Sequence, residues 1–239
     1  MSRLNRRIDA IRPAIETKDG GKKRRKEESK PPRSDEEANR IFDELWEINP
    51  LLSLTAQLCS LTGLRYTDAA WLRYDDFYDE YGNFRSQFQL CQQKVYRQRV
   101  ARNPDEESEA FRRSQTTIYN TSEIQQLVEE TRFYSASKEY LFANKRSQAR
   151  DENGQVIERP MSVESASAHH LVIRTKLKLP YTLGTHSWRK YFVAKLVKAG
   201  ASVEKIRDLL GQASLTSTNH YLHSEENELK QLVNNITLR

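Results

Sequence analysis

A mostly apolar stretch at residues 51–61, opened by Asn49-Pro50 and closed by Gly63, constrains this chain more than any other feature. It reads as a helix with both ends set, because proline fits a first helical turn and glycine closes a last one. A glycine at a helix end lets the chain turn sharply, so the residues beyond it can point out of the core. The stretch reads Leu-Thr-Gly-Leu-Arg-Tyr-Thr-Asp-Ala, with Arg65 two residues after Gly63 and Asp68 one turn later. An arginine there aims a planar fork at an anion, and Asp68 can hold it in place. An ordinary surface Arg–Asp pair fits the same residues.

Around that helix the periodicity predicts further helices. Ser34 and Glu37 match a capping box, and Ala38, Ile41, Phe42, Leu45 and Trp46 recur at helical spacing. Thr67 or Asp68 caps a short helix through Leu72. Residues 84–102 read as two strands with a turn near Lys94, and residues 116–119 as a third, after an acidic loop around Asp105, Glu106 and Glu107. Helices follow at 122–133, capped by Thr121 or Ser122, and at 162–177. The next begins near His186 and closes at Gly200; another at 203–210 is capped by Ser202 and closed by Gly211. The last, at 225–236, carries Leu229, Leu232, Val233 and Ile236 along one side. Residues 144–160 read as a surface loop. The class is α+β, mainly helical, with a small three-stranded antiparallel sheet.

Charge is unevenly placed. Residues 1–33 hold 12 Lys/Arg against 5 Asp/Glu, a net of +7, which leaves −1 for the rest of a chain whose total is +6. The basic character therefore belongs to the amino-terminal residues. With Gly20-Gly21, a Lys/Arg run and Pro31-Pro32, residues 1–33 read as a flexible arm or linker, and residues 34–239 as one domain. Such an arm is a solubilising segment, a grip on phosphate backbone by counterion release, or a link to a further domain. No apolar run reaches the ~18 residues of a membrane helix, and no secretory signal opens the chain. Cys59 and Cys91 have no metal or redox spacing and read as reduced core thiols of a cytoplasmic protein.

The stretch from His186 to Tyr221 concentrates chemistry. His186 and Arg189 stand at i and i+3, so one helical face presents both, near a helix N-terminus that favours an anion. Trp188 points elsewhere. His169 and His170 are adjacent, cannot share a face, and read as structural. Tyr221 stands in Ser-Thr-Asn-His-Tyr-Leu-His. A phenol with a pKa near ~10 is a poor nucleophile unless a base or cations assist it. Two arginines and a histidine are that assistance. No carboxylate cluster of metal-binding type accompanies them, which points away from a two-metal nuclease.

Taken together, Leu-Thr-Gly-Leu-Arg65-Tyr-Thr-Asp68, Gln-Gln-Lys94-Val, His186-Ser-Trp-Arg189 and Leu-Leu-Gly-Gln212 followed nine residues later by Tyr221 resemble the catalytic domain of tyrosine recombinases of the phage integrase type, over roughly residues 35–235. The resemblance implies that fold, with Lys94 in the turn between the second and third strands. It implies Arg65, Lys94, His186, Arg189 and the residue at Gln212 as catalytic, Tyr221 as nucleophile and Asp68 as support. It implies double-stranded DNA as partner and no cofactor. It also implies a homotetramer on paired sites, with the final helix docking on a neighbouring protomer and room for DNA-bending accessory proteins, in a bacterial or phage setting.

Two features depart from the pattern. Gln212 stands where the family has histidine or tryptophan; glutamine keeps donors and an acceptor but does not titrate. The clamp domain that precedes the catalytic domain in most members has no counterpart here beyond the basic arm, as in the minimal fimbrial phase-switch recombinases or in a fragment. The implied reaction is recombination through a 3′-phosphotyrosine, giving integration, excision, inversion or resolution. The alternatives are a weakened or inactive DNA-binding protein on the same fold, and a telomere resolvase or type IB topoisomerase. A helical interaction module is the reading if the motif match is accidental.

Overall fold

The computed structural model of the chain describes residues 28–145, 154–155 and 158–211. The fold is mainly helical. Helices α1 (Asp35–Ile48) and α2 (Pro50–Thr62) lead into two single-turn helices, α3 (Tyr66–Ala69) and α4 (Tyr74–Phe77). Strand β1 (Gln87–Cys91), helices α5 (Gln93–Arg102) and α6 (Glu107–Arg113) and strand β2 (Gln115–Tyr119) follow. Helices α7 (Ser122–Tyr134), α8 (Val163–Lys176), α9 (Ser187–Lys198) and α10 (Val203–Leu209) complete the described chain.

Helix α2 is the axis of the core, packed by α1, α7 and α9. Its residues Leu51, Leu52, Leu54, Ala56, Leu58 and Cys59 are all buried, so the helix is covered on nearly every side, with Pro50, Gln57 and Leu61 half-buried. That is what a helix apolar all round requires, and each buried leucine contributes about 1.5–3 kcal/mol of transfer free energy. Two polar side chains inside α2 are satisfied locally: Ser53 Oγ donates to Phe42 O at 2.8 Å and Thr55 Oγ1 to Leu51 O at 2.6 Å. Asn49 caps α2 by accepting from the Leu51 and Leu52 amides. Ser34, Thr121, Ser162 and Ser202 cap α1, α7, α8 and α10 in the same way. The predicted capping box at Ser34 closes on one side only: Glu37 Oε2 accepts from the Arg33 amide at 2.7 Å, one residue before the cap. Among the described residues no helix is long and apolar enough to cross a membrane.

The sheet has two strands among the described residues, not three. β1 pairs antiparallel with β2, with Phe88 opposite Ile118. Residues 95–100, expected to return as a strand, lie in α5. Gln, Lys and Arg favour a helix there, and Tyr96 and Val100, four apart, fall on one face. That face packs on Ala110 and Phe111 of α6, with the Tyr96 and Phe111 rings edge to face at 6.0 Å. Lys94 therefore sits in a first helical turn and not in a hairpin. The acidic residues 105–107, expected as a loop, form a 3-10 turn running into α6. Asp68 does not cap α3; the backbone of Arg65 holds that position, and Asp68 is buried within the turn.

Residues 28–33 run along the domain. The Lys30 amide donates to Thr182 O at 2.9 Å, and the Arg33 guanidinium lies 5.6 Å from the centre of the Tyr181 ring. Residues 1–27 and the expected helix at 225–236 fall outside the described residues.

Candidate functional site

The site begins at the end of α2. Gly63 has φ 68°, and its amide donates to Cys59 O. A Cβ on it would stand 2.5 Å from Phe192 Cδ1 and 2.9 Å from Leu210 Cδ2. Both the positive φ and the close approach of α9 and α10 require glycine here. Two residues later Arg65, in extended backbone, starts α3. Its Nη1 donates to Gln92 Oε1 and lies 3.9 Å from Asp68 Oδ2. Asp68 Oδ1 accepts the Gln93 amide at 3.1 Å, tying the first turn of α5 to the Arg65 turn. Burial pushes the Asp68 carboxyl up, against the opposing pull of Arg65, the Gln93 amide and Arg189.

The second half of the site is the start of α9. His186 is the residue at its N-cap, and Trp188 and Arg189 are both fully buried. Trp188 faces the core, stacked on Phe42 at 4.5 Å. Its Nε1 donates to His170 Nε2 at 2.8 Å. His170 Nδ1 stands 2.7 Å from Ala166 O, so it carries the proton that the carbonyl accepts. His170 is thus structural, as expected. Arg189 turns the other way: Nη1 donates to Gly63 O at 2.6 Å and Nη2 to Leu210 O at 3.1 Å.

His186 is held below the ordinary histidine range, at about 4. Loss of water around the ring is the first cause, followed by repulsion from Arg189, Arg65, Lys190 and Lys94. The residue as a whole stays exposed, so the four cations are the firmer cause. They also define the site, because charges from three separate elements, the Arg65 turn, the start of α5 and the start of α9, are felt at one imidazole. Lys94 is exposed at the start of α5. Cys59 lies beneath, its thiol pushed up by burial and by Asp68.

The structure thus brings Arg65, Asp68, Lys94, His186 and Arg189 together. Gln212 and Tyr221 lie outside the described residues, which end at Gly211. Sequence reasoning missed Gln92. It is 1% exposed; besides accepting from Arg65, it donates Nε2 to Leu210 O at 2.7 Å. Nothing local marks it, since its partners lie 27 and 118 residues away. Chemically, a cluster of two arginines and two lysines around a neutral imidazole is suited to an anion whose charge grows during reaction, with one group ready to take a proton.

The Phage integrase family matches residues 34–228 of the chain, a span that includes Gln212 and Tyr221. No curated protein sequence matches it. Among solved structures, the XerA recombinase superposes with a TM-score of 0.58 at 16% identity, over 91% of this chain and 68% of that one. The Tn1549 transposon integrase, solved with circular intermediate DNA, gives 0.56 at 15% identity over 86% and 68%. A lambda integrase dimer bound to a core site gives 0.56 at 16% identity over 83% and 49%. These likenesses are of fold.

Proposed function

The chain belongs to the phage integrase family, and from that premise we propose that it is a site-specific recombinase that cuts and rejoins double-stranded DNA through a tyrosine. The observation that carries the reading is the meeting of two arginines at Leu210 O, Arg65 through Gln92 and Arg189 directly, with His186 at the N-cap of α9. Tyr221 Oη attacks a backbone phosphorus, the bond to the 5′-oxygen breaks, and a 3′-phosphotyrosine and a 5′-hydroxyl result. His186, neutral near pH 7, takes the phenol proton, and Lys94 protonates the leaving oxygen. Arg65 contacts a non-bridging oxygen. Arg189 contributes its buried charge while Nη1 and Nη2 hold the Gly63 and Leu210 carbonyls; a bidentate grip on phosphate by those two nitrogens requires releasing these bonds. A second 5′-hydroxyl then attacks the phosphotyrosine, so the bond energy is kept and no cofactor is consumed. Strand exchange between paired sites calls for four protomers, with the basic amino-terminal residues available to grip DNA backbone by counterion release.

The test is covalent capture. Nicked or 5′-phosphorothiolate duplexes drawn from a random-sequence library should yield a protein–DNA adduct with the wild-type chain and none with Tyr221→Phe. Gln212, which cannot titrate, favours a second reading, a DNA-binding protein without strand transfer. Tight specific binding with no adduct on any duplex would decide for it.

A further inference from the structure

Helix α10 ends at Leu209, and side chains of other elements donate to its last carbonyls. Thr116 Oγ1 of β2 donates to Leu209 O at 3.0 Å. Leu210 O accepts both Gln92 Nε2 at 2.7 Å and Arg189 Nη2 at 3.1 Å. Gly211 follows with φ 60°, and a Cβ there would stand 2.5 Å from Gln92 Nε2 and 3.2 Å from Thr116 Cβ. The chain is pressed against the Gln92 amide at the point from which the sequence runs on to Gln212 and Tyr221. The opposite end of that amide, Oε1, holds Arg65 Nη1. A primary amide is the side chain that accepts from a guanidinium and donates to a carbonyl at once.

We infer that Gln92 is a positioning residue of the strand-transfer reaction: one buried amide aligns the Arg65 guanidinium and, through Leu210 O, fixes the origin of the segment that carries the nucleophile. The role rests on the recombinase reading above. It ties phosphate grip and nucleophile placement to a single side chain, so small displacements at residue 92 reach both reacting partners. Misplacement of reacting groups by about 1 Å costs on the order of 100-fold in rate.

Gln92→Glu and Gln92→Met keep the size of the side chain. Glutamate replaces the donor facing Leu210 O by a second acceptor at neutral pH and regains a donor when protonated. Methionine has no donor at any pH. The measurements are adduct formation in single turnover, DNA affinity, thermal midpoint, and amide exchange in the peptide holding Leu209, Leu210 and Gly211. The expected result is a cleavage rate lowered about 10–100-fold in both variants, with affinity and midpoint near wild type and faster exchange at 209–211. The glutamate deficit, taken as the ratio to wild type, should narrow from pH 8 to pH 5.5, and the methionine deficit should not. An unchanged cleavage rate in both variants overturns the inference, as does a loss that only follows the midpoint or a glutamate deficit blind to pH. If the wild-type chain itself forms no adduct, the recombinase reading falls first, and the role of Gln92 with it.

Discussion

His170 and His186 are both held at about 4, yet they belong to different kinds of region. His170 sits in the core, where desolvation depresses it first; both ring nitrogens are engaged, by Trp188 and by Ala166 O. His186 sits at an exposed helix start among four cations. The core histidine is neutral because its surroundings admit no charge. The site histidine is neutral through loss of water and, beyond that, through crowded positive charge, a condition that an anion would reverse. Trp188 and Arg189, adjacent on α9, divide the same way: one completes the core, and the other carries charge between two backbone carbonyls.

The largest effect that would sharpen this contrast comes from the arginines. Arg65→Ala should lower adduct formation about 10²–10³-fold, the loss typical for one preorganised donor, with a smaller loss of stability, because Gln92 Oε1 and the buried Asp68 carboxyl lose a partner. Arg189→Ala should show a similar kinetic loss together with destabilisation on the order of 3 kcal/mol, because Gly63 O loses its side-chain donor in a buried place. Equal stability of the two variants would break the distinction between a half-buried and a fully buried cation.

Next is the acid dependence of folding. A histidine whose folded pKa lies below its unfolded 6.5 is charged more readily in the unfolded chain. Stability is then full above pH 6.5 and falls as pH drops toward 4, by on the order of 3 kcal/mol for His170. Denaturant unfolding at pH 7 and pH 5 should reveal the slope, and His170→Gln should flatten it. A slope that survives the substitution would assign it elsewhere.

The smallest effect reads the contrast most directly. In histidine-resolved NMR titrations, a bound non-cleavable duplex should move His186 up by roughly 1 pH unit and leave His170 in place. Parallel movement of both would mean that the two share one environment.

Much of the helical frame was legible because its signals are local. Asn49 bonds amides two and three residues on, and Ser34, Thr121, Ser162 and Ser202 act within one turn. Gly63, Gly200 and Gly211 take the positive φ that chain ends of this type need. The segment at 95–100 was misread because Val95 and Val100 suggested a strand, while the packing partners that settle its helix, Ala110 and Phe111, come later in the chain. Arg65, Lys94, His186 and Arg189 were legible as candidates through residue type, spacing and family resemblance. Gln92 was not, since a glutamine beside another glutamine carries no pattern.

The sequence by itself determined the caps and ends of most helices, which residues are cationic, and the order in which the candidate site residues and a tyrosine follow one another. Only the tertiary structure decided that Lys94 opens a helix, that Asp68 is a buried acceptor, and that one carbonyl, Leu210 O, receives both Gln92 and Arg189. The physical reason is range. Caps and periodicity act over three or four residues, whereas the bonds that assemble this site join positions 21 to 126 residues apart and exist only once the core around α2 has closed.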